Sequence, residues 1–125
     1  MEDGQTMKEP PIQNNVELLW NPFRAKIEIL LKRMTQRGFD PKPFETLRSL
    51  ERQKWLYGYG RNHHIGLKPK TWTMNSRHIP GKAVDIVSKS RWWDWPEFFI
   101  ALKVEAKKLG LKVLDVEQCH VEWRG

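Results

Sequence analysis

The residue types with the clearest chemistry are two histidines, an aspartate and a glutamate that fall in two short segments. His78 and Asp85 lie in the first segment, SRHIPGKAVD, and Glu117 and His120 lie in the second, EQCH. A catalytic zinc ion typically takes three ligands from His, Asp or Glu and keeps a fourth position for water, whose pKa it lowers toward about 7. We therefore expect His78, Asp85 and His120 to bind one zinc ion, and Glu117 to be the base that accepts a proton.

The elements around these residues follow from local sequence signals. The proline and glycine after His78 break any helix there, and the short, β-branched segment 82–87 is typical of a strand. Alternate residues of a strand face opposite sides, so Asp85 can face a cleft while Val84 and Ile86 enter the core. We expect His78 to lie on the loop that leads into this strand.

The rest of the chain is predicted to alternate between helices and strands. Apolar residues at helical spacing predict a first helix that Asn21 caps, and Ser49 is the predicted cap of the second. No internal repeat or low-complexity segment occurs. The predicted elements are helices over 22–37, 49–57 and 94–109, strands over 44–48, 82–87, 111–116 and 120–123, and a basic loop over 58–75.

The two segments also carry a family resemblance. Ser-x-His-x-x-Gly-x-Ala-x-Asp followed by Glu-x-x-His-x-Glu-Trp resembles the zinc peptidases related to D-alanyl-D-alanine carboxypeptidases and phage L-alanyl-D-glutamate endolysins. Upstream, Arg48-Ser49 with Gln53 is similar to that family's Arg-Ser-x-x-x-Gln helix entry, and Thr71-Trp72-Thr73 is similar to the segment before the first histidine. The resemblance covers roughly residues 42–123, and it departs from the family pattern at the pair before Arg48.

The resemblance implies a fold and a set of roles. The fold is a small α+β single domain, in which an antiparallel sheet carries a zinc site and is flanked by about three helices. His78, Asp85 and His120 fall on the metal positions and Glu117 on the catalytic base. Arg48 falls on the arginine that binds substrate or the developing oxyanion. The implied activity is hydrolysis of the bond between L-Ala and D-Glu in the stem peptide of bacterial peptidoglycan, as in phage endolysins.

Three alternatives stay open at this point. The enzyme could be a D-alanyl-D-alanine carboxypeptidase or dipeptidase, because the motifs do not select the bond that is cut. Two histidines and a carboxylate also form the iron site of non-haem oxygenases, although six residues separate His78 from Asp85 here. A non-catalytic zinc-binding interaction domain is the third alternative, and the presence of Glu117 disfavours it.

Several neighbouring residues have two readings. Ser76 either orients a ligand or substrate through its hydroxyl group or shapes its loop, and Glu122 shares the strand face of His120 and can hydrogen-bond to that ligand. Cys119 is expected on the strand face opposite to that of His120, where it would act as a small apolar residue. His63 and His64 are expected to be loop residues rather than ligands. The tryptophans at 72, 92, 93, 95 and 123 could line a groove or belong to the core.

Composition sets the remaining expectations. The 125 residues suit one domain, which we place at 16–125 after a flexible tail at 1–15, and monomer is the default state. The net charge of +7 is spread along the chain, so we expect attraction to anionic cell-surface polymers but no specific nucleic acid partner. No signal peptide or membrane span is evident, which predicts synthesis in the bacterial cytoplasm and holin-type release to the cell wall.

Overall fold

The computed structural model describes residues 8–71 and 73–124, and these form a four-stranded antiparallel sheet with three α-helices. In chain order the elements are α1 (Asn21–Gln36), β1 (Pro41–Glu45), α2 (Leu50–Gly58), β2 (Ala83–Ser88), α3 (Pro96–Lys108), β3 (Lys112–Val113) and β4 (His120–Glu122). The strand order in the sheet is β1-β2-β4-β3, and each neighbouring pair is antiparallel. The predicted α+β fold is therefore confirmed.

The hydrophobic core lies between the sheet and the helices α1 and α3. The helical spacing predicted for α1 is confirmed, because Phe23, Ile27, Leu30 and Met34 are fully buried. The other core residues include Phe98, Phe99, Leu102 and Ala106 from α3 and Val84, Ile86 and Val121 from the sheet. Among the described residues no helix is long and apolar enough to cross a bilayer.

The N-termini of the helices agree with the sequence signals in two cases out of three. The Oγ atom of Ser49 accepts a hydrogen bond from the backbone N–H of Arg52 at 3.0 Å, so Ser49 caps α2 as predicted. The prediction that Asn21 caps α1 is wrong, because the cap position is Trp20 and Asn21 is already helical. The helix α3 starts at Pro96, inside the predicted range, since proline suits the first helical turn.

The sheet register places the site residues opposite the core. Strands β2 and β4 pair Asp85 with His120 and Val84 with Val121. Val84 and Val121 are fully buried in the core, and the alternation of the strands turns Asp85 and His120 to the other face. The predicted faces of this strand are thus confirmed for Asp85, Val84 and Ile86.

The segment before the first helix contacts the part of the fold that follows β1. The carbonyl oxygen of Gln13 accepts a hydrogen bond from the backbone N–H of Thr46 at 2.7 Å. Arg52 donates to the carboxylate of Glu9 and to the carbonyl oxygen of Pro10. Residues 1–7 of the predicted tail lie outside the described residues, and the domain boundary at residue 15 stays a prediction.

Candidate metal centre

The three predicted ligands meet on the face of the sheet opposite the core. One donor atom from each of His78, Asp85 and His120 lies within 4.8 Å of the other two. Nε2 of His78 is 3.4 Å from Oδ2 of Asp85, and Nδ1 of His120 is 3.2 Å from Oδ1 of Asp85. Within residues 8–71 and 73–124, this is the one group of three His, Cys, Asp or Glu residues close enough to hold a metal ion.

Hydrogen bonds orient both imidazole rings toward the space between the ligands. Nδ1 of His78 is 2.8 Å from the carbonyl oxygen of Thr46 and must donate to it. In the neutral imidazole Nε2 is then an acceptor, and this buried atom makes no hydrogen bond within the described residues. Its neighbour at 3.4 Å, Oδ2 of Asp85, is an acceptor as well, so the two atoms face each other without a proton between them. Nε2 of His120 is 2.9 Å from Oε1 of Glu122, which leaves Nδ1 to face Asp85. Orientation of a ligating histidine through its other nitrogen is usual at metal sites, so the donor set fits a zinc ion.

The turn at 76–81 fixes the backbone of His78. Oγ of Ser76 accepts a hydrogen bond from the N–H of His78 at 3.1 Å. The carbonyl oxygen of His78 accepts from the N–H groups of Arg48 at 3.0 Å and Gly81 at 3.1 Å. Gly81 has a φ of +72°, and a Cβ atom there would lie 3.1 Å from the backbone nitrogen of Trp20. Only glycine meets both requirements without strain, which explains its place in the motif.

The electrostatics of the cluster favour a bound cation. Burial alone raises the pKa of Asp85, but the hydrogen bond with His120 and the close approach of the His78 imidazole outweigh it and hold the pKa below its usual value. Burial also opposes protonation of His120, yet the hydrogen bond with Asp85 raises the pKa of this imidazole above its ordinary value. The site thus contains an ionised carboxylate whose partner is a proton, and a metal ion would take the place of that proton.

Glu117 lies on the rim of the same cleft, in the loop between β3 and β4. Its side chain is 56% exposed, and its Oε2 atom is 3.5 Å from Nδ1 of His120. The cleft has a volume of about 660 Å³, and its lining includes the three ligands, Glu117, Ser76 and Arg48. Glu117 is therefore close to the cluster while remaining accessible to water and to a substrate.

Arg48 is held beside the cluster by a buried network. Its NH1 atom donates to Oε1 of Gln53 at 2.8 Å, and its NH2 atom donates to Oε1 of Glu45 at 2.7 Å. The same NH2 atom is 4.0 Å from Oδ2 of Asp85. Glu45 also accepts from Arg52, which is 4% exposed. Each terminal nitrogen of Arg48 keeps a second N–H for another acceptor, because a guanidinium group has five donors.

The remaining candidates lie outside the ligand cluster. His63 is buried, with Nε2 2.7 Å from the carbonyl oxygen of Trp55 and Nδ1 2.7 Å from Nδ1 of His64, so both imidazoles belong to the loop after α2. Cys119 packs against the core, and burial raises the pKa of its thiol to about 12.

The tryptophans divide between the core and the surface. Trp95 packs on Phe39 and Phe98, and Trp123 packs on Phe23. Trp93 lines the cleft. Trp72 lies outside the described residues.

Two groups that take part in this site were not predicted from the sequence. The carbonyl oxygen of Thr46 fixes the tautomer of His78, and the carboxylate of Glu45 holds both Arg48 and Arg52. A backbone carbonyl leaves no mark in a sequence. Glu45 did leave one, since a carboxylate three residues before one arginine and seven before another is the pattern of a local ion network.

Comparison with known proteins shows which solved structures share this fold. No family model and no curated relative matches the chain. Solved structures do match, including an L-Ala D-Glu endopeptidase, ChiX of Serratia marcescens, with a TM-score of 0.64 and 20% identity over 88% of this chain and 84% of that chain. A second is VanYB in complex with D-alanine-D-alanine, with a TM-score of 0.67 and 16% identity over 97% of this chain and 82% of that chain.

Two carboxypeptidases share the fold as well. The LdcB LD-carboxypeptidase has a TM-score of 0.62 and 14% identity over 97% of this chain and 66% of that chain. The L,D-carboxypeptidase DacB from Streptococcus pneumonia has a TM-score of 0.60 and 20% identity over 94% of this chain and 70% of that chain. At these identities the similarity establishes a common fold, and the chemistry must be argued from the residues.

Proposed function

We propose that this protein is a zinc-dependent peptidase of bacterial peptidoglycan that hydrolyses the bond between L-Ala and D-Glu in the stem peptide. The observation that carries the proposal is the buried Nε2 atom of His78, which makes no hydrogen bond within the described residues and faces the carboxylate of Asp85 and the imidazole of His120. A glutamate on the rim of the same cleft supplies a base. The names of the structures that share the fold support the substrate class, because one is an L-Ala D-Glu endopeptidase, one holds D-alanine-D-alanine and one is described for its peptidoglycan recognition.

The roles of the residues follow from their positions. His78, Asp85 and His120 would hold the zinc ion, which when bound supplies a Lewis acid that polarises the scissile carbonyl and acidifies water. Glu117 accepts the proton of the attacking water and delivers it to the leaving amine as the C–N bond breaks. Arg48 directs its free N–H donors at the oxygen that becomes negative, or at a substrate carboxylate. Ser76 positions His78, because its hydroxyl oxygen accepts a hydrogen bond from the backbone N–H of that residue.

Glu117→Gln tests the chemistry. We expect kcat to fall by about 10²–10⁴-fold, the usual contribution of a general base, while the protein keeps one zinc ion per chain. Asp115→Asn is the matched control, since Asp115 is an exposed carboxylate on the same loop and should leave kcat unchanged. Near-normal cleavage by Glu117→Gln would refute the role, and iron in place of zinc by metal analysis would point to an oxygenase.

The bond is identified from the products. Isolated peptidoglycan is digested with the purified protein, and the new amino and carboxyl termini are determined by mass spectrometry. New D-Glu amines with alanine carboxyl ends support the endopeptidase. Release of D-Ala would favour a carboxypeptidase, for which the match to VanYB with bound D-alanine-D-alanine is the supporting observation. A bound zinc ion with no cleavage of any wall would favour a zinc-binding interaction domain.

The biological setting belongs to the same proposal. We assign the protein to phage-type lysis, acting as a monomer on the cell wall after holin-type release from the cytoplasm. The net charge of +7 would hold the enzyme near anionic wall polymers. Expression in a bacterial host with and without a holin is the test, and lysis that depends on both the holin and Glu117 is the expected result. Lysis without the holin would refute this release route.

A further inference from the structure

A surface of three aromatic side chains adjoins the metal cleft, and we call Phe44, Trp92 and Trp93 the aromatic platform. The rings of Trp92 and Trp93 stack with centroids 6.0 Å apart and an interplanar angle of 23°. Their residues are 43% and 45% exposed. The ring of Phe44 packs edge-on against both, with its centroid 4.9 Å from that of Trp93. Exposed apolar side chains that adjoin one another, unlike isolated ones, often mark a binding site.

The turn that presents the two tryptophans is built to hold them outward. Trp92 has a φ of +56°, a backbone conformation that a bulky side chain rarely adopts. Ser88 and Trp92 exchange two backbone hydrogen bonds, of 3.1 and 2.8 Å. Asp40 accepts hydrogen bonds from Oγ of Ser88 at 2.6 Å and from the N–H of Ser90 at 2.8 Å, and this fixes the turn to the start of β1. A strained conformation secured by its surroundings is characteristic of functional positions.

The aromatic platform is continuous with the cleft. Trp93 lines the cleft together with Asp85, Glu117 and His120. Nζ of Lys42 lies over the Trp92 ring, 4.9 Å from its centre. A ligand that extends out of the cleft past Trp93 would therefore meet exposed indole rings and an ammonium group.

We propose that the aromatic platform binds the amino sugar of the glycan strand to which the stem peptide is attached. This inference rests on the proposed function and names a further part of its substrate. The L-Ala residue is joined directly to the lactyl group of that sugar, and one residue spans at most about 3.6 Å. Cleavage after L-Ala therefore requires the sugar ring to lie within roughly 10 Å of the metal cluster. Of the platform, Trp93 lines the same cleft as the three ligands, which is where such a ring would have to bind. A sugar ring presents an apolar C–H face that packs on aromatic rings, as aromatic side chains generally offer large contact areas for ligands.

The length of the stem peptide makes the inference selective. A cut between two terminal D-Ala residues lies three residues further from the sugar, or roughly 10 Å of extended chain. If the sugar were bound on the aromatic platform, the bond between the two D-Ala residues would lie beyond the metal cluster. Use of the platform and cleavage at L-Ala–D-Glu are therefore linked, and the platform sets which bond of the stem peptide reaches Glu117.

The experiment compares two soluble substrates on the full-length, zinc-loaded protein. One is the disaccharide-tetrapeptide, and the other is the same tetrapeptide with a lactyl group at its N-terminus and no sugar. We expect the wild-type protein to prefer the sugar-bearing substrate by at least tenfold in kcat/KM. Trp92→Ala should remove most of this preference through KM, leaving kcat/KM for the free peptide within about twofold. Trp20→Ala is the matched control, because Trp20 is 41% exposed and packs on Trp123 elsewhere.

Failure of the inference can be told from failure of the proposed function. Equal kcat/KM for the two substrates would overturn the platform while the peptidase stands. An equal loss on both substrates with Trp92→Ala would also overturn it, since that is a structural effect. If the wild-type protein cuts neither substrate, the disaccharide alone is titrated against the Glu117→Gln protein by NMR. Selective shifts of the Trp92 and Trp93 indole N–H signals would then support the platform, and unchanged signals would refute it.

Discussion

Replacement of Glu45 by glutamine is the most informative test of how the site is supported. Glu45 is 2% exposed, and its carboxylate accepts hydrogen bonds from Arg48 and from Arg52, which is 4% exposed. Glutamine keeps the shape of the side chain but removes the charge. The charge-assisted contacts left to Arg52 would then be those with Glu9 and Pro10 in the N-terminal segment. Arg48 would keep its hydrogen bond to Gln53 and its longer approach to Asp85.

The size of the effect follows from the burial of the pair. Removal of one partner from a buried ion pair leaves an uncompensated charge and typically costs about 3–5 kcal/mol. The amide oxygen of glutamine still accepts one hydrogen bond, so we expect about 3 kcal/mol for Glu45→Gln. A domain of this size loses roughly 4 °C of Tm per kcal/mol, which predicts a fall of roughly 12 °C.

Urea denaturation of the zinc-free protein measures this loss, and Glu105→Gln is the control. Glu105 is 5% exposed and accepts from Arg37 at 2.9 Å, but the Arg37 side chain is 45% exposed. Water can solvate Arg37 after the change, so we expect a loss of about 1 kcal/mol there. In kinetic assays Glu45→Gln should also lower kcat, because Arg48 loses one of its two anchors, whereas Glu105→Gln should not. Equal losses of stability in the two variants, with equal kcat, would refute the reasoning.

The ion pairs of Glu45 with Arg48 and Arg52 also make the stability of the fold depend on pH, with a definite sign. Burial alone raises the pKa of Glu45, but the hydrogen bonds from Arg48 and Arg52 hold its pKa below 4.5, the usual value. A carboxylate whose pKa is lowered in the folded state binds protons less tightly there than in the unfolded state. Its contribution is therefore complete above pH 4.5 and is lost as the pH falls through the lower, folded-state pKa. The difference in stability between wild type and Glu45→Gln should narrow over this acidic range and stay constant above it.

Three further predictions concern other parts of the fold. Gly81→Ala should lower the free energy of unfolding by about 1–2 kcal/mol and weaken zinc affinity, because it forces a left-handed φ on alanine and crowds Trp20; urea denaturation and zinc titration measure these effects. Glu9→Gln should lower Tm through Arg52, whereas Glu17→Gln, an exposed carboxylate, should not; thermal unfolding compares them. Since burial raises the pKa of Cys119 to about 12, iodoacetamide should alkylate the folded protein at pH 8 far more slowly than the urea-unfolded protein.

The fold was predictable where local signals agree with burial. The apolar spacing of α1 and the alternation of β2 both specify a buried face, and both are confirmed. The bounds of β1 were harder to predict, because Pro41 and Pro43 argue against a strand when neighbours are unknown. The sheet order explains their presence: β1 is an edge strand, where a missing N–H leaves no ladder bond unmade.

The site likewise has one part that the sequence predicts, the ligand side chains, and one part that depends on the folded backbone. His78, Asp85 and His120 could be found in the sequence because a metal site restricts residue types, and few residues satisfy it at that spacing. The orientation of His78 depends instead on the carbonyl oxygen of Thr46, which any residue at position 46 would supply. That carbonyl is in place because Thr46 follows β1, donates its N–H to Gln13 and lies beside the turn at 76–81. The sequence therefore specifies which atoms can bind the metal, whereas the tautomer that frees Nε2 for binding is a property of the folded chain.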